Sequence, residues 1–259
     1  MNIHPTAIID PSADIASDVS IDAYVIIGAR VKIAAGTRIG PYVRVEGPTE
    51  IGAGCKIYSH CSIGSDAQDL KFEGEIAYLK MGKNNLIREF VTINRGTKGG
   101  GGYTILGDDN YLMTGVHVAH DCRVGNGTIL ANAATLAGHV TIEDNATVGA
   151  FSGVHQFCRV GSHAYVGGYS VITRDALPFV KTVGSRNEAS TYGINTLGLE
   201  RRSFRKEEIQ ILKKAYRILI QSQLQLKGAV EKLRQEFPDN PHVRALIRFA
   251  SESDRGFIR

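Results

Sequence analysis

Histidines, one carboxylate and one glycine recur in this chain at a common spacing. His120, Gly138 and Gln156 are separated by eighteen residues each, and the same interval separates Asp121 from His139. A neutral imidazole beside a carboxylate suits a general base near neutral pH. A glycine lets a backbone N–H approach a developing oxyanion without obstruction by a Cβ atom. These residue types fit the deprotonation of an alcohol or amine that attacks an acyl carbon.

Two other interpretations compete for the same histidines. His117, His120 and His139 offer three nitrogen ligands, and some hexapeptide-coil proteins bind zinc with three histidines for carbonate chemistry. That interpretation leaves Gln156 and the basic C-terminal region without a purpose. A purely structural role predicts that the histidines can be replaced without consequence. We favour the general base because several polar groups converge on one edge.

A six-residue period indicates the elements that would position these residues. A small or β-branched residue follows each aliphatic position four residues later. The aliphatic positions run every sixth residue from Ile3 to Ile63, then through Met81, Ile87 and Ile93, then from Leu106 to Ile172. Such a period is typical of a parallel β-helix, in which three short strands close a triangular coil of eighteen residues. The period itself does not set the handedness: crossovers in general favour the right hand, and we expect left-handed winding because proteins that this hexapeptide pattern resembles are left-handed. Residues eighteen apart then stack at about 4.8 Å.

Two segments interrupt the period. Residues 66–80 contain Gln68, Asp69 and Lys71, and residues 98–104 contain four consecutive glycines. Insertions in solenoid proteins usually emerge on the face that binds ligands or carries catalytic residues. The glycine run lacks the lysine and serine of a phosphate-binding P-loop, so we interpret it as a flexible loop.

The end of the period predicts two domains. We expect a mostly β structure, a left-handed parallel β-helix, over residues 1–190 and a C-terminal α-helical domain over residues 191–259. Ser203 has the character of a helix N-cap, and Asn240 followed by Pro241 predicts the start of a later helix. A helical domain at this place would cover the exposed strand edges at the end of the coil.

Composition restricts the location of the protein. The chain has no apolar run long enough to span a membrane, and a repeat that begins at residue 3 leaves no room for a signal peptide. All four cysteines occupy inward positions of the repeat; they are Cys55, Cys61, Cys122 and Cys158. We expect buried thiols, neither disulfides nor metal ligands, in a cytoplasmic protein.

Positive charge is concentrated in one region. Residues 201–234 hold ten Lys or Arg and three acids, a balance of +7, whereas the whole chain carries +4. One interpretation, which requires no function, is an ordinary solvated helix surface. The alternative is a docking face for an acidic partner or a phosphate. Nucleic acid is disfavoured because the region lacks interleaved aromatic residues and any known binding motif.

Longer motifs carry a family resemblance. The chain closely resembles the UDP-N-acetylglucosamine O-acyltransferases that open lipid A synthesis in Gram-negative bacteria, and the resemblance covers essentially the whole chain. The matching stretches are Gln68–Lys71, Ile87–Glu89, Arg95–Thr97, His117–Cys122, Asn132 through Val140, Val154–Phe157, Gly198–Arg202 and the final Arg-Gly-Phe-Ile-Arg.

The resemblance implies a homotrimer with active sites in the clefts between subunits, and no metal or other cofactor. The acyl group would arrive on the phosphopantetheine of acyl carrier protein and would move to the sugar 3-position. The basic helical domain would bind the carrier protein. His120 would be the general base, Asp121 its partner and the Gly138 N–H the oxyanion donor. The implied substrate-binding residues are Gln68, Asp69, Lys71, His117, His139, His155, Gln156 and Asn195, with Arg201 and Arg202 at the diphosphate.

Other positions concern specificity. By analogy Gly168 would leave the acyl groove open for a long chain, and Tyr165 nearby would shorten it. Asn94 stands where the family often has His, Leu197 replaces an acid common near the uridine, and residues 185–192 differ from the usual connection. Some relatives use a 3-amino sugar and form an amide, so the choice of sugar stays open. The enzyme that N-acylates the next intermediate has an additional N-terminal domain, and a coil that begins at residue 3 argues against it.

Overall fold

Short strands wind into a triangular coil. The computed structural model describes residues 2–259, and its parallel strands form the predicted left-handed β-helix with one sheet on each face. The first face contains Asn2–Ile3, Ser20–Ile21, Arg38–Ile39, Lys56–Ile57, Leu86–Ile87, Tyr111–Leu112, Ile129–Leu130, Thr147–Val148, Tyr165–Val166, Val180–Val183 and, antiparallel at the end, Ser190–Ile194. The second contains Ile8–Ile9, Ile26–Ile27, Arg44–Val45, Ser62–Ser65, Thr92–Asn94, His117–Val118, Thr135–Leu136, Gly153–Val154 and Val171–Ile172. The third contains Asp14–Ile15, Val31–Ile33, Thr49–Ile51, Tyr78–Met81, Tyr103–Leu106, Arg123–Val124, Thr141–Ile142 and Arg159–Val160.

The aliphatic positions of the repeat fill the coil. Leu112, Leu130 and Val148 pair in register on successive strands and are completely buried. Each buried side chain of this size contributes about 1.5–3 kcal/mol, so the repeat itself supplies the core. The four cysteines are buried free thiols, as predicted. Burial raises the pKa of the Cys122 thiol to about 12, which suits a core residue.

The three corners of the coil differ in character. The corner between the first and second faces carries stacked exposed rings, and we call it the aromatic corner; its rings are Tyr24, Tyr42, His60, Phe90, Phe151 and Tyr169. The histidine corner, between the second and third faces, contains residues 119–122, 137–140 and 155–158. The third corner, between the third and first faces, contains residues 125–128, 143–146 and 161–164, and we call it the basic corner because Arg202 lies against it.

Both interruptions of the period emerge at the histidine corner. The first connects Ser65 to Tyr78 and the second connects Asn94 to Tyr103, so each joins the second face to the third. The predicted limits at 80 and 104 were too late, because residues 78–81 and 103–106 pair along the third face. The second connection also contains a 3-10 turn at Lys98–Gly100, capped by Thr97.

Four α-helices follow the coil. They are α1 (Thr196–Arg201), α2 (Lys206–Tyr216), α3 (Leu226–Glu236) and α4 (Pro241–Ser251), with a π-helical turn at Arg217–Gln221. Ser203 was the wrong N-cap: it has φ +62° in the turn before α2, whose cap is Arg205 with Glu208. Asn240 does cap α4. None of the helices in residues 2–259 is long and apolar enough to cross a membrane.

Candidate active site

A histidine and an aspartate form a hydrogen-bonded pair at the histidine corner. His120 Nδ1 lies 2.8 Å from Asp121 Oδ2, and the Asp121 side chain is 1% exposed. Thr97 donates to the same carboxylate from its backbone N–H at 2.9 Å and from its hydroxyl at 2.7 Å. Since a carboxylate only accepts, His120 Nδ1 carries the hydrogen, and in the neutral ring Nε2 keeps its lone pair. The arrangement makes Nε2 a proton acceptor with a fixed direction.

Gly138 lies directly against the imidazole of His120. A Cβ atom at this position would lie 2.6 Å from Cε1 and 2.7 Å from Nε2, closer than any packed side chain allows. The N–H of Gly138 donates to no protein acceptor within residues 2–259. Glycine is therefore required for the ring to take this place, and a free donor adjoins the basic nitrogen.

Two further histidines surround the pair. The His139 ring meets the His120 ring edge-on at 5.2 Å, and its Nε2 lies 3.8 Å from Asp121 Oδ2. His117 Nδ1 shares a hydrogen with Thr92 Oγ1 at 2.7 Å. Burial, with a smaller contribution from the charge of His120, lowers the pKa of His117. His117 is consequently neutral at pH 7 and can donate or accept one hydrogen bond.

The predicted substrate residues of the first loop lie at the same corner. Gln68 and Lys71 are exposed, and Asp69 Oδ1 accepts the backbone N–H of Lys71 at 3.0 Å. Glu75 accepts the Lys98 N–H at 3.2 Å, so the two loops are joined. Gln156 and His155 are exposed two coils above His120, where His155 Nδ1 contacts the Gln156 carbonyl at 3.2 Å.

A cavity of about 620 Å³ opens beside the basic corner. Asn195, Arg201 and Arg202 line it, as do Tyr165 and Lys181 from the first face. The alternation of the strand aims Lys181 outward, because its neighbours Val180 and Thr182 are buried. Guanidinium and ammonium groups without paired carboxylates suit an anionic ligand.

The same cavity is lined by His163, which connects the coil to the helices. Its ring stacks on Phe179 at 5.7 Å and meets Phe204 edge-on at 5.0 Å. Its carbonyl accepts the Asn195 side-chain amide at 3.1 Å, and Asn195 caps α1. Burial, assisted by the positive charges of Arg202 and His242 and opposed by Asp144, lowers the pKa of His163 to about 4.

The predicted site residues therefore fall into separate groups. His120 and its neighbours occupy the histidine corner, whereas Asn195, Arg201 and Arg202 occupy the basic corner at the other edge of the third face. Gly168 lies on the aromatic corner, where a Cβ atom would meet only the backbone of Ala150, at 3.2 Å or more. Tyr165 lines the cavity of the basic corner.

The zinc interpretation predicted His117, His120 and His139 as ligands, but a different set of residues lies close together. His120, Asp121 and His139 offer ligand atoms within 4.8 Å of one another, and His117 is not in this group. Both Asp121 oxygens already accept hydrogen bonds from Thr97, and His120 Nδ1 binds one of them. A metal ion there would have to displace these bonds, so the donor set fits a base better than a zinc site.

Three residues of these sites were missed from the sequence. Thr97 belongs to a motif that gives it no role of its own, and the repeat does not single out Lys181 or His163. Thr97 contacts Asp121 across 24 residues of chain, and Lys181 follows the last regular repeat. Only the register of the strand that pairs Lys181 with Tyr165 would have indicated its direction.

Comparisons with known proteins agree with this architecture. A family model described as UDP N-acetylglucosamine O-acyltransferase, domain 2, matches residues 175–258. A model of the bacterial transferase hexapeptide (six repeats) matches residues 30–65, 103–138 and 139–174.

Similar proteins match along nearly their whole lengths. The acyl-[acyl-carrier-protein]--UDP-N-acetylglucosamine O-acyltransferase of Stenotrophomonas maltophilia strain K279a is 49% identical, over 99% of this chain and 97% of its own. Among solved structures, LpxA from Acinetobacter baumannii superposes with a TM-score of 0.96 at 44% identity, covering 99% of both chains. The UDP-N-acetylglucosamine acyltransferase of Bacteroides fragilis gives 0.96 at 42% identity, over 99% of this chain and all of the other. The chain therefore belongs to the UDP-N-acetylglucosamine O-acyltransferase family.

Proposed function

We propose that the protein transfers a 3-hydroxyacyl group from the phosphopantetheine of acyl carrier protein to the 3-hydroxyl of UDP-N-acetylglucosamine, the first step of lipid A biosynthesis. The observation that carries the proposal is the His120–Asp121 pair, whose free Nε2 lies beside the unobstructed backbone of Gly138. Membership of the family supplies the substrates. Free buried cysteines suit a reaction in the cytoplasm.

The pair performs general-base catalysis. His120 Nε2 removes the proton of the sugar hydroxyl as its oxygen attacks the thioester carbon. Asp121, held by Thr97, stabilises the imidazolium that forms. The N–H of Gly138 donates to the oxyanion of the tetrahedral intermediate. The intermediate then collapses, the carbon–sulfur bond breaks, and His120 returns its proton to the departing thiolate.

The surrounding groups bind the substrates. His117, His139 and Gln156 would hold the sugar, the acyl chain or the pantetheine thioester, the first two beside the base and Gln156 two coils above it. Asp69, Lys71 and Gln68 would reach the sugar from the first loop, and His155 would lie by the nucleotide. Arg201 and Arg202 would bind the diphosphate, which planar guanidinium groups recognise through two hydrogen bonds each. Gly168 would leave the acyl groove open to a long chain, with Tyr165 as a second determinant of length.

The active unit is proposed to be a homotrimer. In one chain the base and the arginines lie at opposite edges of the third face. Within a coil these edges are six residues apart, as His139 and Asn145 are, and six residues of extended chain span roughly 20 Å. A site shared between subunits would bring the histidine corner of one chain to the basic corner of its neighbour. Mixing His120→Ala and Arg201→Ala chains tests this: mixed oligomers should regain activity, and a sum of the two weak activities would contradict sharing.

An acyl-transfer assay tests the reaction itself. Acyl carrier proteins with 3-hydroxyacyl chains of several lengths would be offered with UDP-N-acetylglucosamine and with its 3-amino analogue. Ester formation supports the proposal, whereas amide formation alone would favour the N-acylating alternative. Acyl transfer that is lost to a chelator and restored by zinc would refute the metal-free mechanism, whereas bound zinc in a protein that transfers no acyl group would favour the hydratase alternative.

A further inference from the structure

The C-terminal segment is tied to the coil at a buried aspartate, through its side chain and its backbone. Asp175 is 1% exposed, and its Oδ2 accepts the Ser253 hydroxyl at 2.7 Å. Its backbone N–H donates to the Gly256 carbonyl at 3.0 Å, and its carbonyl accepts the Ile258 N–H at 2.9 Å. Arg255 lies between these anchors, so its backbone is fixed although its side chain is exposed.

Arg255 stands at the end of a line of rings that begins at the base. Its guanidinium lies 5.8 Å from the centre of the Phe157 ring. Phe157 stacks on His139 at 4.4 Å, and His139 meets His120 edge-on at 5.2 Å. The two ring contacts each rise about one coil, about 4.8 Å, and the Arg255 guanidinium lies within 5.8 Å of the last ring. Arg255 therefore lies at most about 15 Å from His120.

Arg255 is the free cation on this line. It makes no ion pair within residues 2–259. The neighbouring Arg159 is already engaged, because its Nη2 lies 3.3 Å from Glu143 Oε1 and its guanidinium stacks on Phe249 at 4.2 Å. An anchored, unpaired guanidinium beside an exposed ring suits a ligand with a phosphate at the end of a partly apolar chain.

We propose that Arg255 binds the phosphate of the phosphopantetheine arm while the arm lies along the histidine corner across Phe157. The inference rests on the proposed function, in which the thioester reacts between His120 and Gly138. More than a dozen bonds separate the sulfur from the phosphorus of the arm, enough to reach from the base to Arg255. The apolar methyl groups of the arm would cover the exposed ring of Phe157.

The test removes the guanidinium and, separately, the phosphate. Arg255→Gln, Arg255→Lys and wild type would be compared with three donors of the same acyl group: acyl carrier protein, the free phosphopantetheine thioester and the pantetheine thioester without phosphate. Arg259→Gln is the matched control, since Arg259 is also an exposed terminal arginine over a ring, that of Phe257 at 5.6 Å. Thermal unfolding of each variant checks that the segment stays folded.

The expected pattern is specific to the phosphate. Arg255→Gln should lower kcat/KM about tenfold for both phosphate-bearing donors, the scale of one charge-assisted hydrogen bond. It should leave kcat/KM for the pantetheine thioester and the KM for the nucleotide sugar unchanged. Arg255→Lys should give an intermediate kcat/KM, and Arg259→Gln should behave like wild type. An equal loss with all three donors, or no loss, would overturn the assignment. A loss with acyl carrier protein alone would also overturn it, because Arg255 would then contact the protein. Wild type that uses no donor would overturn the proposed function with it.

Discussion

Thr97 donates two hydrogen bonds to Asp121, one from its backbone N–H at 2.9 Å and one from its hydroxyl at 2.7 Å. The threonine belongs to the second loop, and Gly100 in the same loop passes so close to the Asp121 carboxylate that a Cβ atom there would collide with it. The glycine-rich insertion therefore has a structural task beyond flexibility: it holds the partner of the proposed base.

Replacing Thr97 should weaken catalysis through Asp121. Thr97→Val keeps the shape and the backbone bond but removes the hydroxyl, and a hydrogen bond to a charged group contributes about 1.5–3 kcal/mol. We expect kcat to fall about 10- to 100-fold, with the KM of both substrates little changed. Thr97→Ser should restore most of the activity. Equal kcat for Thr97→Val and wild type, measured at saturating substrates, would remove Thr97 from the mechanism.

A methyl group at Gly138 should displace the base. Gly138→Ala puts a Cβ 2.6 Å from His120 Cε1, so the ring must move away from the oxyanion donor, and we expect a loss of about 10²- to 10³-fold in kcat. Gly153→Ala is the matched control, because a Cβ there meets nothing within 4 Å. Steady-state kinetics that give the two variants the same kcat would contradict this role of Gly138.

Lys181 should contribute to nucleotide binding. It lines the cavity with Arg201 and Arg202, so Lys181→Met should raise the Kd for UDP about five- to tenfold, the scale of one charge-assisted contact. The effect should shrink for uridine, which has no phosphate, and Lys181→Arg should bind UDP like wild type. Lys32→Met, an exposed lysine on the third face, is the control. Calorimetric titration that shows equal weakening for UDP and uridine would rule out a phosphate contact.

His163 should make the protein sensitive to acid. The unfolded chain binds its proton near pH 6.5, whereas the folded protein binds it only near pH 4, because burial and Arg202 oppose the charge. Between these values the unfolded state holds more protons, so the free energy of unfolding falls as the pH drops. His163→Phe keeps a ring against Phe179 and removes the titration. Denaturant unfolding at several pH values should give a flatter curve for this variant, and parallel curves would disprove the assignment.

The sequence predicts the coil better than it predicts the site. A period of six fixes which face of each strand is buried, and stacking at eighteen residues correctly brings His120, Gly138 and His139 together. Capping by Arg205 instead of Ser203 depended on the turn that precedes α2, which local preference alone does not determine. Thr97 reaches Asp121 from an insertion whose path follows no repeat, so its role required the structure.

The separation of the site residues into the histidine corner and the basic corner follows only in part from the repeat. The repeat assigns Asn145 and His163 to one corner and His139 to another, yet the arginines come from the last residue and the C-cap of α1, whose place depends on helix packing. Arg202 reaches the coil by donating to the Gly127 carbonyl at 2.8 Å. The period of the repeat does not predict contacts between the coil and the C-terminal helices.

The most direct measurement is the single-turnover rate of acyl transfer by wild type and by His120→Ala, with both substrates saturating and the fold of the variant checked by thermal unfolding. We expect rapid ester formation by wild type and a fall of at least about 10²-fold in the variant, the scale of losing a general base. A variant that transfers the acyl group at the wild-type rate would contradict the assignment of His120 as the base.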